Sequence, residues 1–390
     1  MRGHPHRGFW PYFLHGALYV LAAAGFTYWL HDMGVFDRWE NSNLDRFLFA
    51  KKPSQSNDIV LVVIDEDDYR SEFKSQSPLA AQRVVNIIGA IQKGKPEVIG
   101  VDLDTSQWVL DETPPTLRSL IAQWKNVVWA RDGWTENGHF QMAPVLGDDP
   151  TDICFGLPAL RVDDDGIVRR FFPVYNPADN APGFSTTLIR LFNARGETSC
   201  KSGGAPIAES NAEQGRLINF LGPKDNFRKL TASSVLAMAK IEEWQKTSEV
   251  AGKIVLLGGT YRAARDRFST PVGAMDGVEV LAHIVQTEIA KPLGEAPAWV
   301  YVVADIALGL TLLAVLYTLP PVWRTIALLS SFLLAILASF FLFQISSYFF
   351  SFVPIIGGVF VHHVIEQHFE SRELRRENQE LRSKLGHRSH

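Results

Sequence analysis

The sequence predicts an α/β extracytoplasmic domain with a mainly parallel sheet, flanked by four transmembrane α-helices, one before it and three after. A short cytoplasmic coiled-coil helix follows the last of them. Three observations lead there. Charged residues fill the middle of the chain, whereas both ends carry long apolar runs. In the middle, short β-branched runs alternate with amphipathic helical spacing. Basic residues gather at both termini and in the loop between two later apolar runs. The 390 residues are 46% hydrophobic and carry a formal net charge of -4. A charge so near zero offers no electrostatic case for nucleic acid as a partner. The two cysteines, Cys154 and Cys200, are too few for a disulfide-rich scaffold or a cysteine-based zinc cluster. Both fall in the region placed outside, where they either pair in an oxidising compartment or remain two small buried side chains.

Residues 9–30 make the first span, since a crossing takes about 20 apolar residues. Arg2, His4, His6 and Arg7 precede it, and Phe26, Tyr28, Trp29 and Leu30 continue it as an interfacial aromatic belt. A cleaved signal peptide competes, because Ala22-Ala23-Ala24 before Gly25 resembles a cleavage site; the retained helix is preferred. Residues 299–319 make the second span and stop at Pro320-Pro321. The almost uncharged stretch 325–365 is about twice one span in length. It is read as two helices broken near Gln344, Ser346 and Ser347. An even number of crossings puts Arg2, Arg7, Arg324, Arg372, Arg375, Arg376, Arg382, Lys384 and Arg388 on one side. That side is the cytoplasm. The expected divisions are 1–30 for the N-tail and first helix, 31–298 for the outer domain, 299–365 for the later helices and 366–390 for the tail. Asp305 falls inside the second span, where a carboxyl is either functional or turned toward a neighbouring helix or water. His15 poses the same choice in the first span, and His362 and His363 belong at the cytoplasmic interface.

Within the outer domain, 58–64 is a strand buried on both faces, followed at once by Asp65-Glu66-Asp67-Asp68. Residues 78–93 have helical spacing, with Val84, Ile87, Ile88 and Ile91 on one face. A second strand, 98–101, ends in Asp102-Leu103-Asp104. A helix over 117–124 and a third strand over 127–130 complete a strand-helix rhythm that dictates a parallel sheet. Later come a short strand at 217–220, a serine-capped helix at 233–239, a strand at 253–257 closed by Gly258-Gly259, and a helix at 278–290.

These residues together resemble the second type of the CHASE group, the cyclase/histidine-kinase-associated sensory extracellular domains. The matching pieces are Asp45-Arg46, the run from Ile59 to Asp65, Val98-Ile99-Gly100-Val101-Asp102 and Asp165-Gly166-Ile167-Val168-Arg169-Arg170. They continue through Phe184-Ser185, Ile218-Asn219-Phe220-Leu221-Gly222-Pro223 and the run from Gly252 to Gly258. The last are Asp266-Arg267-Phe268-Ser269-Thr270-Pro271 and the run from Gly277 to His283. Each piece is weakly specific; their order is much more so. The resemblance implies an extracytoplasmic sensor of unidentified ligand, with a cyclase, kinase or phosphodiesterase downstream; the expected location is the bacterial inner membrane, with both termini cytoplasmic by the distribution of basic residues. Only 25 residues follow Ile365, too few for a catalytic domain. The chain is therefore expected either to signal through a separate effector or to be a fragment.

Asp65, Asp102 and Asp104 end neighbouring parallel strands, and ligands of open α/β sheets bind beyond the carboxyl ends of strands. Gly258 and Gly259 end another strand and offer close backbone approach. The three carboxylates suit a hard cation, an amine or sugar ligand, or plain capping of helices and loops. No resident metal or cofactor is expected. Asp163-Asp164-Asp165-Gly166 lacks the ligand spacing of a calcium loop and reads as a turn into a strand. Arg169 and Arg170 then pair with domain carboxylates or with an anionic ligand. Asp266 opens the loop before the helix that leads toward the second span. Asp102-Leu103-Asp104-Thr105 also mimics the nucleophile motif of haloacid-dehalogenase phosphatases, but a full strand-helix unit precedes it and the partner residues have no place. No enzyme is expected. In the tail, Leu374, Asn378, Leu381 and Leu385 form a heptad seam that favours a parallel dimer, against the alternative of a basic helix on anionic lipid. The expected partners are the bilayer, a second copy and an effector protein; a non-catalytic anchor or scaffold subunit is the competing role.

Overall fold

The computed structural model describes residues 9–108, 115–136, 139–146, 153–158, 160–176, 181–194, 215–223, 226–290, 293–358, 360 and 379. Contacts divide the chain into two units, Leu48–Leu293 and, together, Met1–Phe47 with Gly294–His390. Residues 31–47, expected in the outer domain, cluster instead with the apolar helices, and 37–49 form a helix, Asp37–Phe49, that the sequence reading left unassigned.

The core of the Leu48–Leu293 unit is a six-stranded, wholly parallel sheet. Its strands are β1 (Ile59–Ile64), β2 (Val98–Asp102), β3 (Val127–Ala130), β4 (Cys154–Gly156), β5 (Arg228–Thr231) and β6 (Ile254–Gly259). They lie in the order β5-β1-β6-β2-β3-β4. Every residue of β1 and of β6 is buried, as an apolar run covered on both faces requires. The helices used below are α1 (Glu66–Ser71), α2 (Ala81–Lys93), α3 (Phe184–Asn193), α4 (Ala232–Met238) and α5 (Gly277–Ile289). The buried stripe of α2, with Val84, Ile87, Ile88 and Ile91, joins Val60, Val62 and Ile64 of β1 in one cluster. Each such side chain contributes about 1.5–3 kcal/mol by leaving water.

Two departures from the sequence reading have clear causes. The expected strand at 217–220 shrinks to Arg216–Leu217 and pairs antiparallel with Val168–Phe171 in a separate small sheet. After the Ile218 amide, which still donates to the Arg169 carbonyl at 2.9 Å, the backbone turns to a helix: the Asn219 amide donates to Thr287 Oγ1 at 2.9 Å and the Leu221 amide to His283 Nδ1 at 3.3 Å. The expected serine cap is Thr231, whose Oγ1 accepts from the Ser234 amide at 3.3 Å. A second cap comes from far along the chain. Buried Asp68 of α1 accepts from the Ala232 amide at 2.9 Å and the Ser233 amide at 3.2 Å. A carboxylate at a helix N-terminus satisfies orphan donors and the helix dipole together. Asp68→Ala is therefore expected to cost about 1–3 kcal/mol, read as faster hydrogen exchange at 232–238; unchanged exchange there would contradict this.

Cys154 is disulfide-bonded; Cys200 lies outside the described residues. In the second unit, helices Phe9–Asp32 and Ala298–Thr318 pack closely because small residues face bulky ones. A Cβ placed on Gly309 would stand 2.7 Å from Val20, and one on Gly16 would stand 2.5 Å from Leu313. Among the described residues, one stretch, Ile326–Ser346, is long and apolar enough to cross a membrane, and Trp299–Val315 is a shorter apolar helix. The break expected near Gln344, Ser346 and Ser347 falls at Ser347, where φ is +53° and helix Pro321–Ser346 ends; helix resumes over 353–358. Asp305 is buried in Ala298–Thr318 with its carboxylate against Gly358. The side chain of His15, together with His362, His363, Leu374, Asn378, Leu381 and Leu385, lies outside the described residues.

Candidate functional site

At the carboxyl ends of the central strands the chain opens a cleft of about 410 Å³. The parallel register sets Asp102, the last residue of β2, beside Gly258 of β6, so the strand-end residues of both emerge at one edge. The cleft is lined by Asp102, Asp104, Asp132, Asp266, Arg131 and Tyr261, among others. Asp104 and Asp132 stand exposed at the rim, whereas Asp102 and Asp266 sit deeper.

The four carboxylates differ in what satisfies them. Asp104 Oδ1 accepts from the Ser106 amide at 2.9 Å and the Ser106 hydroxyl at 2.6 Å. Asp102 Oδ2 is sealed from solvent and accepts no hydrogen bond among the described residues. Burial, with lesser contributions from Asp266 and then Asp132, pushes the Asp102 carboxyl up to about 8. Burial also raises Asp266, helped by Asp276 and Asp132. Asp132 is raised by partial burial and by Asp104, though its exposure lets water screen it.

Among the described residues the lining holds one arginine, and it is already engaged. Arg131 Nε donates to the Ala143 carbonyl at 2.6 Å, and its guanidinium lies 4.8 Å from the Phe155 ring centroid. Tyr261 stacks on Tyr69, with centroids 4.2 Å apart. Among the described residues no group of three or more His, Cys, Asp or Glu has the arrangement to hold a metal ion.

Of the residues singled out from sequence, the fold brings Asp102, Asp104, Gly259 and Asp266 together in this cleft. Asp65 lies elsewhere and caps α1, accepting from the Asp68 amide at 2.8 Å. Gly258 packs under helix α5, where an added Cβ would stand 2.5 Å from Val278. Arg169 and Arg170 sit on the small antiparallel sheet. Arg169 donates to Asp163 at 2.8 Å and to Asp165 at 2.7 and 2.9 Å, and Arg170 lies 3.7 Å from Asp163. Gly166, at φ +80°, makes the turn into the strand that the sequence implied. Asp132 was missed, although it follows β3 as Asp104 follows β2; reading two residues past Ala130 would have found it.

The family model of the CHASE2 domain matches residues 18–319. The chain belongs to the CHASE2 family. CHASE2 is a family of sensory extracellular domains, and the match takes in helix Ala298–Thr318 as well as the whole Leu48–Leu293 unit. No curated protein and no solved structure matches significantly. In this CHASE2 domain the cleft lies where an open parallel sheet places ligands, beyond the carboxyl ends of its central strands. Its walls combine charged groups, aromatic surface and a polar atom with no partner among the described residues.

Proposed function

We propose that the protein is a non-catalytic sensor whose CHASE2 domain receives its stimulus outside the cytoplasm, in the cleft bounded by Asp102 and Asp266. The chain crosses the inner membrane four times, at 9–30, 299–319 and twice within 325–365, with both termini in the cytoplasm. The domain passes its state through these helices to a separate effector, and the heptad seam at 374–385 pairs two copies. The observation that carries the reading is the cleft itself: at the sheet edge where open α/β folds place ligands, Asp102 Oδ2 is enclosed and has no hydrogen-bond partner among the described residues. The segment from Asp266 supports it further. Asp266 lines the cleft with its carboxylate against Gly277, the first residue of α5, and α5 precedes helix Ala298–Thr318 by only a short stretch of chain. A ligand changes such a receptor only by binding one state better than another.

Affinity purification from native membranes in mild detergent, followed by mass spectrometry, tests the role. A co-purifying kinase, cyclase or phosphodiesterase is the expected result. Recovery of this chain alone, as an oligomer, would favour a membrane anchor or scaffold.

A further inference from the structure

We infer that the cleft takes a small organic cation, one carrying an ammonium or guanidinium group that enters past the rim carboxylates of Asp104 and Asp132 and ends on Asp102. This rests on the cleft being the stimulus site. The charge balance favours a cation over an anion: among the described residues, Asp104, Asp132 and Asp266 line the cleft beside protonated Asp102, against one arginine that is committed to the Ala143 carbonyl and the Phe155 ring. Among the described residues no group of three or more carboxylates is arranged to hold a metal ion. Among the described residues Asp102 Oδ2 has no partner, so an N–H donor reaching this carboxyl would satisfy an acceptor otherwise left unpaired. Tyr261 and Phe268 contribute ring surface to the same walls, which suits the alkyl part of an organic cation or the charge itself. The volume, about 410 Å³, is that of a small-molecule pocket.

The charged groups that line the cleft with Asp102 are Asp104, Asp132, Asp266 and Arg131, with Tyr261 also titratable, and Asp276 acts on Asp266. Burial above all, and after it the Asp266 and Asp132 carboxylates, keeps a proton on Asp102 near neutrality. A bound cation takes that proton's place, so binding releases it to solvent, and the cation's affinity rises about tenfold from pH 6 to pH 7.

Calorimetry on the full chain in detergent tests this, with 1,4-diaminobutane and 4-guanidinobutylamine as probes and succinate and Ca²⁺ as controls. Each titration is run in two buffers of different ionisation enthalpy. The expected result is saturable binding of at least one cationic probe with proton release near one, no binding of the controls, and at least tenfold weaker binding in Asp102→Asn. Asp266→Asn, a second and independent change, is expected to weaken binding as well. Binding of neither cation, binding without proton release, or equal affinity in both variants overturns the inference. Binding of succinate or Ca²⁺ alone also overturns it, while leaving the cleft as the stimulus site. The sensor reading is decided separately, by the co-purifying effector.

Discussion

Arg169→Met is expected to destabilise the outer domain by about 3–5 kcal/mol, the cost of removing one partner from a buried ion pair. The guanidinium is 1% exposed and bridges Asp163, itself 9% exposed, to Asp165 through both terminal nitrogens. Methionine keeps much of the length but leaves the Asp163 carboxylate without its principal cation. Lysine keeps charge but not the two-pronged geometry, so Arg169→Lys should recover only part of the loss. The Arg169 guanidinium holds the Asp165 carboxyl below its ordinary range. A depressed carboxyl stabilises fully above its unfolded value, near 4, and loses that contribution as pH falls through its folded value. The wild type should therefore weaken with acid below about pH 4, and the methionine variant should show less of this dependence. Hydrogen exchange across Val168–Phe171 in the full chain reads the effect. Protection unchanged from wild type would show that the pair is structurally idle.

The second large effect concerns Asp102, where the sign is opposite. Its folded carboxyl titrates near 8, above the unfolded value of about 4. A raised carboxyl gives its full stability below the unfolded value and loses it as pH rises through the folded one. Between about pH 4 and 8 the native domain holds one proton more than the unfolded chain, so stability falls by up to about 1.4 kcal/mol per pH unit. Asp102→Asn removes the ionisable group and should flatten that slope, making the variant the more stable protein at pH 8. Thermal melts of the full chain at pH 5, 6.5 and 8 measure it. Parallel curves for the two proteins would mean that Asp102 is ionised and solvated in the native state.

What the sequence disclosed follows from how far apart the interacting residues lie. The runs Ile59–Ile64, Val98–Asp102 and Ile254–Gly259 could be recognised because a strand buried on both faces is apolar throughout, a property of consecutive residues. Strand β5 could not be. It sits at the edge of the sheet, and its exposed Arg228 and Lys229 pair with Glu249 and Glu279, so its composition resembles a loop. The cap that Asp68 places on α4 joins residues 164 apart in sequence, and no local pattern announces it. The site divides the same way. Asp102 and Asp104 declared themselves by following an apolar strand, and Asp132 obeys the same rule. The separation of Asp65 from them, and the approach of Asp266 to Gly277, arise only from the folded sheet and the α5 junction. Arg169 and Arg170 carried no mark that distinguished a structural pair from an anion site until Asp163 and Asp165 were placed beside them.

The central claim is that the cleft governs what the cytoplasmic side does. The measurement that tests it most directly is the activity of the co-purifying effector in native membranes, compared between wild type and Gly277→Val at equal abundance of the chain. A Cβ at position 277 would collide with the Asp266 carboxylate and force it to move within the cleft. The account predicts that effector output shifts away from the wild-type level. Identical output from both membranes, with the same effector recovered, would contradict it.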